Sequence, residues 1–99
     1  MSYTICYVSK TYDSTSEEDI QNIFDETQRN NPANNIHGIL LYGFGNFFQV
    51  LEGKKDTIES LFKTICEDDR HHRIEVLIRH NITIPIFATY SSKFNVVKT

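Results

Sequence analysis

Five strand-like runs and two amphipathic helical runs follow one another in the order βαββαββ, and this order predicts an α+β fold. Such a string closes most readily as one mixed sheet with both helices on one face, the ferredoxin-like arrangement, since right-handed crossovers return each helix to the same side. A third observation bounds the size. No repeat, low-complexity tract or Pro/Gly-rich linker divides the 99 residues, so 1–99 read as a single domain with one modest core.

Residues 3–9 carry aromatic and β-branched side chains and read as the first strand. Tyr3, Ile5, Tyr7 and Ser9 share one face, and Thr4, Cys6 and Val8 the other. After the polar stretch 13–16, Thr15 with Glu18 three places on reads as a capping box, hydroxyl and carboxylate each satisfying a free backbone N–H. Ile20, Ile23, Phe24 and Thr27 then form an i, i+3, i+4, i+7 helical stripe. That helix is expected to end near Arg29, because Asn30, Asn31 and Pro32 all favour leaving a helix. Residues 38–42 and 46–52 are the next two strands, joined at the hairpin signal Gly43-Phe44-Gly45. A second helix over 54–66 repeats the stripe with Ile58, Leu61, Phe62 and Ile65. A polar loop through Asp68, Asp69 and Arg70-His71-His72-Arg73 leads into a half-buried strand in which Ile74, Val76 and Ile78 alternate with Glu75 and Arg79. Pro85 interrupts, and residues 87–94 supply a last short strand.

Acidic residues outnumber Lys and Arg by 13 to 10, a net charge of −3, so no global field recruits nucleic acid or an acidic membrane. Cys6 and Cys66 lack CxxC or zinc spacing. A bridge between them is open in principle, but two buried, reduced thiols are expected. The N-terminus Met1-Ser2-Tyr3-Thr4 has no basic region, and no long apolar run follows. The expectation is a cytoplasmic protein without signal peptide or spanning helix.

Four polar side chains stand where a binding site would form: Tyr7, Asn30, Asn31 and Gln49. Gln49 lies in Phe47-Phe48-Gln49-Val50-Leu51, on the face shared with Phe47 and Leu51 that looks into the core. A buried carboxamide left without partners costs about 1–3 kcal/mol, so it must find them. Tyr7 can donate to its oxygen, and its NH2 still requires an acceptor. Two readings stay open at this point. One is a water-satisfied core network with the asparagines simply ending a helix. The other is a site for a planar heterocycle with alternating acceptors and an N–H, such as an isoalloxazine or a pyrimidine, which carboxamides read along its edge. A metal site is not expected, because adjacent histidines point apart and no ligand lies at the right spacing. Nor is catalysis: the stretch Ser9-Lys10-Thr11-Tyr12-Asp13 lacks the glycines and arginine of an acylphosphatase-like phosphate loop, and no nucleophile–base pair is legible.

The pieces Tyr7-Val8-Ser9, Asn30-Asn31, Gly38-Ile39-Leu40-Leu41-Tyr42, Phe47-Phe48-Gln49-Val50-Leu51-Glu52-Gly53 and Asp69-Arg70-His71, in this order, resemble the BLUF family (blue light sensing using FAD) from Tyr3 to about Phe94. The resemblance implies a non-covalent FAD or FMN held between the two helices. It makes Tyr7 the electron donor to the photoexcited flavin, and Gln49 the group whose hydrogen bonds rearrange, by rotation or tautomerisation. It sets Asn31 at the O4/N3 edge, Asn30 near the ring, and Arg70 and His71 toward the O2 side and ribityl chain, supported by Asp69.

The family usually carries a Trp, then Ser and Met, in its last strand, as relays of the signal. Here Tyr90 and Ser92 stand in place of the Trp and the Met. If Tyr7 and Gln49 face the helices, Cys6, Val8, Phe48 and Val50 form an apolar outer face, expected to be covered by a second subunit or a downstream partner. Output is therefore expected through a partner or a change of assembly. A flavin-free interaction module is the alternative reading.

Overall fold

The computed structural model describes residues 2–90 and 95–98. Strand β1 (Ser2–Thr11) lies between β3 (Asn46–Gly53) and β4 (His71–Ile82), antiparallel to both. On its other side β3 pairs antiparallel with β2 (His37–Gly43), and β5 (Asn95–Lys98) runs parallel to β2 at the far edge. The order β4-β1-β3-β2-β5 is one mixed sheet, the ferredoxin-like arrangement with one added strand. Helices α1 (Glu17–Ala33) and α2 (Lys55–Glu67) pack on one face of it. Ile20 and Phe24 of α1 and Ile58 and Phe62 of α2 close over Ile5, Leu40 and Leu51 of the sheet. Each such fully buried side chain contributes about 1.5–3 kcal/mol.

Where local structure departs from expectation, a competing contact explains it. Ser16, not Thr15, caps α1: its hydroxyl accepts from the Asp19 N–H at 3.0 Å, and the Asp19 carboxylate accepts from the Ser16 N–H at 3.2 Å. Thr15 is engaged elsewhere, accepting from the Tyr12 N–H and donating to the Arg70 carbonyl, both at 3.0 Å. Helix α1 does not end near Arg29 but runs through Pro32 to Ala33. Its apolar stripe continues at Asn31, four residues beyond Thr27, and Asn31 is buried. The helix stops only where Asn35 takes a left-handed conformation (φ 56), with the Asn35 N–H on the Pro32 carbonyl and the Ile36 N–H on the Asn31 carbonyl. In the β2–β3 hairpin the turn is the two-residue Phe44-Gly45 (φ 51 and 75), with Gly43 paired to Asn46.

Strand β4 starts earlier than expected, at His71, and carries two irregularities. Cys6 pairs with Ile78 and Tyr7 with Val76, so Leu77 is an extra residue, and Arg73 (φ 53) marks a second shift. The simple alternation of Ile74, Val76 and Ile78 is thereby broken, and Ile78 sits beside Cys6 on the face away from the helices. Residues 87–90 are not strand but a helical turn, α3 (Phe87–Tyr90). Strands β4 and β5 occupy opposite edges, so their connection has to cross the sheet, and its described residues 83–90 are not strand.

That crossover narrows the apolar outer face without closing it, since Ile78 and Ile86 stay exposed. Ile86 and Phe87 share a groove with Cys6, Phe48 and Val50. Cys6 is buried there, and Val8, Phe48 and Val50 are only half-buried. Both cysteines are free thiols, but Cys66, near the end of α2, is exposed, not buried. Among the described residues, no helix is long and apolar enough to cross a membrane.

Candidate functional site

A cavity of about 170 Å³ opens between α1 and α2 on the helical side of the sheet. Ile23 and Thr27 wall it on one side and Leu61 and Ile65 on the other, while Leu40, Phe47, Tyr7 and Gln49 form its floor. The floor follows from strand register. Tyr7 of β1 stands directly opposite Gln49 of β3, and Leu40 of β2 opposite Gln49 on its other side, so the three share one face.

Tyr7 Oη donates to Gln49 Oε1 at 2.5 Å, with both residues 3 % exposed. With its oxygen occupied by Tyr7, the carboxamide has its NH2 left to offer. Burial, and secondarily the neighbouring Cys66 and Asp68, push the Tyr7 phenol far above its ordinary range, so it keeps its proton. Phe62 tilts against its ring with centroids 5.5 Å apart.

Asn31 reaches the cavity from the last turn of α1, and its buried Nδ2 has no hydrogen-bond partner among the described residues. Asn30 also lines the cavity but lies at its exposed rim. His71, buried at the start of β4, is held at both ring nitrogens. Its Nε2 lies 2.7 Å from the Ile65 carbonyl, which can only accept, so this nitrogen carries the proton. Nδ1 in the neutral ring accepts from Ser9 Oγ at 2.8 Å. His71 therefore presents its ring to the cavity, not a free nitrogen.

Arg70 spans the mouth of the slot. Its Nη2 meets Glu26 Oε2 of α1 at 2.9 Å and Asp68 Oδ2 at 2.6 Å, with Nε on Asp68 Oδ1 at 3.0 Å. The guanidinium hydrogen bonds hold the Asp68 carboxyl below the usual carboxylate range. The supporting carboxylate at this site is therefore Asp68, and not Asp69, which is exposed and does not line the cavity. Of the expected signal positions, Ser92 and the side chain of Tyr90 lie outside the described residues.

Three participants were not anticipated. Glu26 sits three residues after Ile23 on the same side of α1, a spacing that could have flagged it. Ser9 was on the right face of β1 but without a named partner, and nothing in the bare sequence separates Asp68 from Asp69.

Fold and site together define a small α+β ligand-binding domain. Its slot has apolar walls for a flat ring, and carboxamides at the floor and one end read the polar edge of that ring. The orphaned Asn31 donor calls for a carbonyl oxygen, and an isoalloxazine supplies such oxygens beside ring nitrogens, so these residues fit a flavin. The cavity is smaller than the ~300–1,000 Å³ that encloses a whole drug-sized ligand, which suits a buried ring with its tail outside.

The family described as sensors of blue-light using FAD matches residues 2–93. The chain belongs to this BLUF family of blue-light receptors, whose chromophore is a flavin. The blue light- and temperature-regulated antirepressor BluF of Escherichia coli (strain K12) is 32% identical over 75 residues, 76% of this chain and 19% of that protein. The chain thus spans less than a fifth of that relative's length. Among solved structures, photo-activated BlsA matches with a TM-score of 0.87 at 32% identity, over 100% of this chain and 71% of BlsA. Klebsiella pneumoniae BlrP1, determined with FMN and cyclic diGMP, matches with a TM-score of 0.84 at 30% identity, over 98% of this chain and 25% of that one.

Proposed function

We propose that the Tyr7–Gln49 pair is the light switch of this domain, and that the domain is a sensor without catalytic activity of its own, acting through a partner or a change of assembly. The observation that carries the reading is the 2.5 Å bond from a buried phenol to a buried carboxamide on the cavity floor. A bound flavin supplies blue-light absorption and, once excited, a one-electron acceptor. Tyr7 is the donor: an oxidised phenol becomes strongly acidic, and its proton has one short path, along the bond to Gln49 Oε1. Gln49 would take that proton on Oε1 and release one from its NH2 toward the polar edge of the ring, leaving the tautomer, or a rotated amide once the proton has returned to Tyr7, with a donor facing that edge. Asn31 orients the ring through its free Nδ2. Asn30 flanks the rim, and Arg70, with Asp68 and Glu26, holds the mouth near the ligand's tail, while His71 packs against the ring's surroundings. All of 1–99 serves as one sensing domain, consistent with a cytoplasmic protein.

The test is an absorption spectrum of the purified, FAD-reconstituted protein in darkness and under blue light. The expected result is a flavin spectrum that shifts slightly to the red in light and recovers in darkness. Gln49→Leu and Tyr7→Phe both lose this response while retaining flavin. A response that survives in Gln49→Leu refutes the assignment, and a failure to bind any flavin refutes the function.

A further inference from the structure

Glu52 is 2 % exposed yet takes no part in the cavity. Three positions beyond Gln49 on β3, it projects from the opposite face of the sheet. There its carboxylate accepts three backbone N–H groups: Oε2 from Ile86 at 2.8 Å and Phe87 at 3.1 Å, and Oε1 from Ala88 at 3.0 Å. A buried carboxylate is costly unless hydrogen-bonded, and these donors are what the crossover supplies. They belong to the connection between the two edge strands, which has to traverse the outer face past β3. Strand β3 is paired on both sides, so it has no free edge at which to absorb a displacement.

We infer that Glu52 is a positioning residue that couples the cavity to the outer face. A change in the hydrogen bonds of Gln49 displaces β3, and the Glu52 carboxylate passes that displacement to residues 86–88. The crossover then shifts and uncovers the groove it shares with Cys6, Phe48 and Val50. The inference rests on the light-switch reading of the cavity, and gives it an output route that does not run through positions 90 and 92.

Cys6 is a built-in reporter, a buried thiol lining that groove. In flavin-loaded protein carrying Cys66→Ser, which removes the exposed thiol, Cys6 is labelled with a thiol reagent in darkness and under blue light. Weakening of a charge-assisted contact predicts labelling roughly tenfold faster in light. Glu52→Gln has one acceptor oxygen where two were used, and turns an NH2 toward a backbone N–H. In that variant Cys6 labels at the fast rate already in darkness, light adds nothing, and the flavin red shift is retained. Ala88→Pro, which deletes one donor from the crossover and leaves β3 untouched, raises the dark rate in the same direction. Equal dark and light rates in protein that shows the red shift overturn the inference, as does a preserved light–dark contrast in Glu52→Gln. Absence of the red shift before any Glu52 substitution sinks the light-switch reading, and this inference with it.

Discussion

Replacing Asn31 with leucine should move the flavin-free and the flavin-loaded protein in opposite directions. Nδ2 of Asn31 is buried without a partner among the described residues, an arrangement that costs about 1–3 kcal/mol. Leucine keeps the branched side-chain shape with bulkier tips that the adjoining cavity can take, removes the unpaired donor, and is the better helix former on the buried stripe of α1. Taking the low end, a gain of about 1 kcal/mol raises the melting temperature of a domain this size by roughly 4–8 °C in protein prepared without flavin. If Asn31 holds the ring as proposed, the same substitution deletes that hydrogen bond in the flavin-loaded protein. A net loss of about 0.5–1.5 kcal/mol weakens binding by about two- to thirteenfold. Thermal melts with and without FAD, together with a fluorescence titration of flavin, read both effects. A lower melting temperature in the flavin-free variant, or an unchanged affinity, would refute the reasoning that this amide waits for a ligand carbonyl.

The Tyr7 phenol, held high by burial, remains protonated when folded, while its unfolded value is about 10. Its raised value stabilises the fold fully below that pH, and the contribution is lost as pH climbs toward the folded value. Tyr7→Phe should therefore resist alkaline unfolding better than wild type, as followed by circular dichroism; a lower alkaline midpoint for the variant contradicts this. Asp68 is the reverse case, its folded value lying below the ordinary ~3.9 because of Arg70, so the stabilisation exists above that pH and fades as pH falls through the folded value. The stability gap between wild type and Arg70→Gln in urea should accordingly be present at neutral pH and close below about pH 4, and a gap independent of pH would exclude the pair as its source. Phe44 occupies a left-handed turn position (φ 51) with its side chain fully exposed. Phe44→Asn should raise the denaturation midpoint by an amount equivalent to about 1 kcal/mol, and a fall would show that the ring makes an unseen contact.

Much of the fold was legible because its signals are periodic. The stripes Ile20-Ile23-Phe24 and Ile58-Leu61-Phe62-Ile65 announce two helices on one face, and Phe47-Gln49-Leu51 announces a strand facing them. Boundaries were less legible, because neighbouring residues offer equivalent chemistry. Thr15 and Ser16 each have an acidic residue three places on, and what decides between them is a distant carbonyl, that of Arg70. The crossover failed for a topological reason. Residues 87–90 have ordinary strand composition, but the connection has an entire sheet to cross, and a buried carboxylate from β3 gathers its N–H groups.

The site divides in the same way. Tyr7 and Gln49 could be found because a polar side chain among core-facing neighbours stands out against period-two alternation, and antiparallel register then brings the two together. Asn31 drew attention for a reason that proved partial. Asn30, Asn31 and Pro32 carry the chemistry of a helix end, yet the helix persists through all three. Had it ended at Arg29, Asn31 would leave the stripe of Ile20, Phe24 and Thr27 and lose its view of the cavity. Pro32 has no N–H to give the Gln28 carbonyl, and the helix ends one residue later at Ala33, where the Pro32 and Asn31 carbonyls accept from the Asn35 and Ile36 N–H groups. The same backbone that stops α1 thus aims a polar side chain, with one hydrogen bond unmade, into an apolar slot. Local helix-ending chemistry predicts the stop a turn too early, and the contact that overrides it is the one that prepares the site for its ligand.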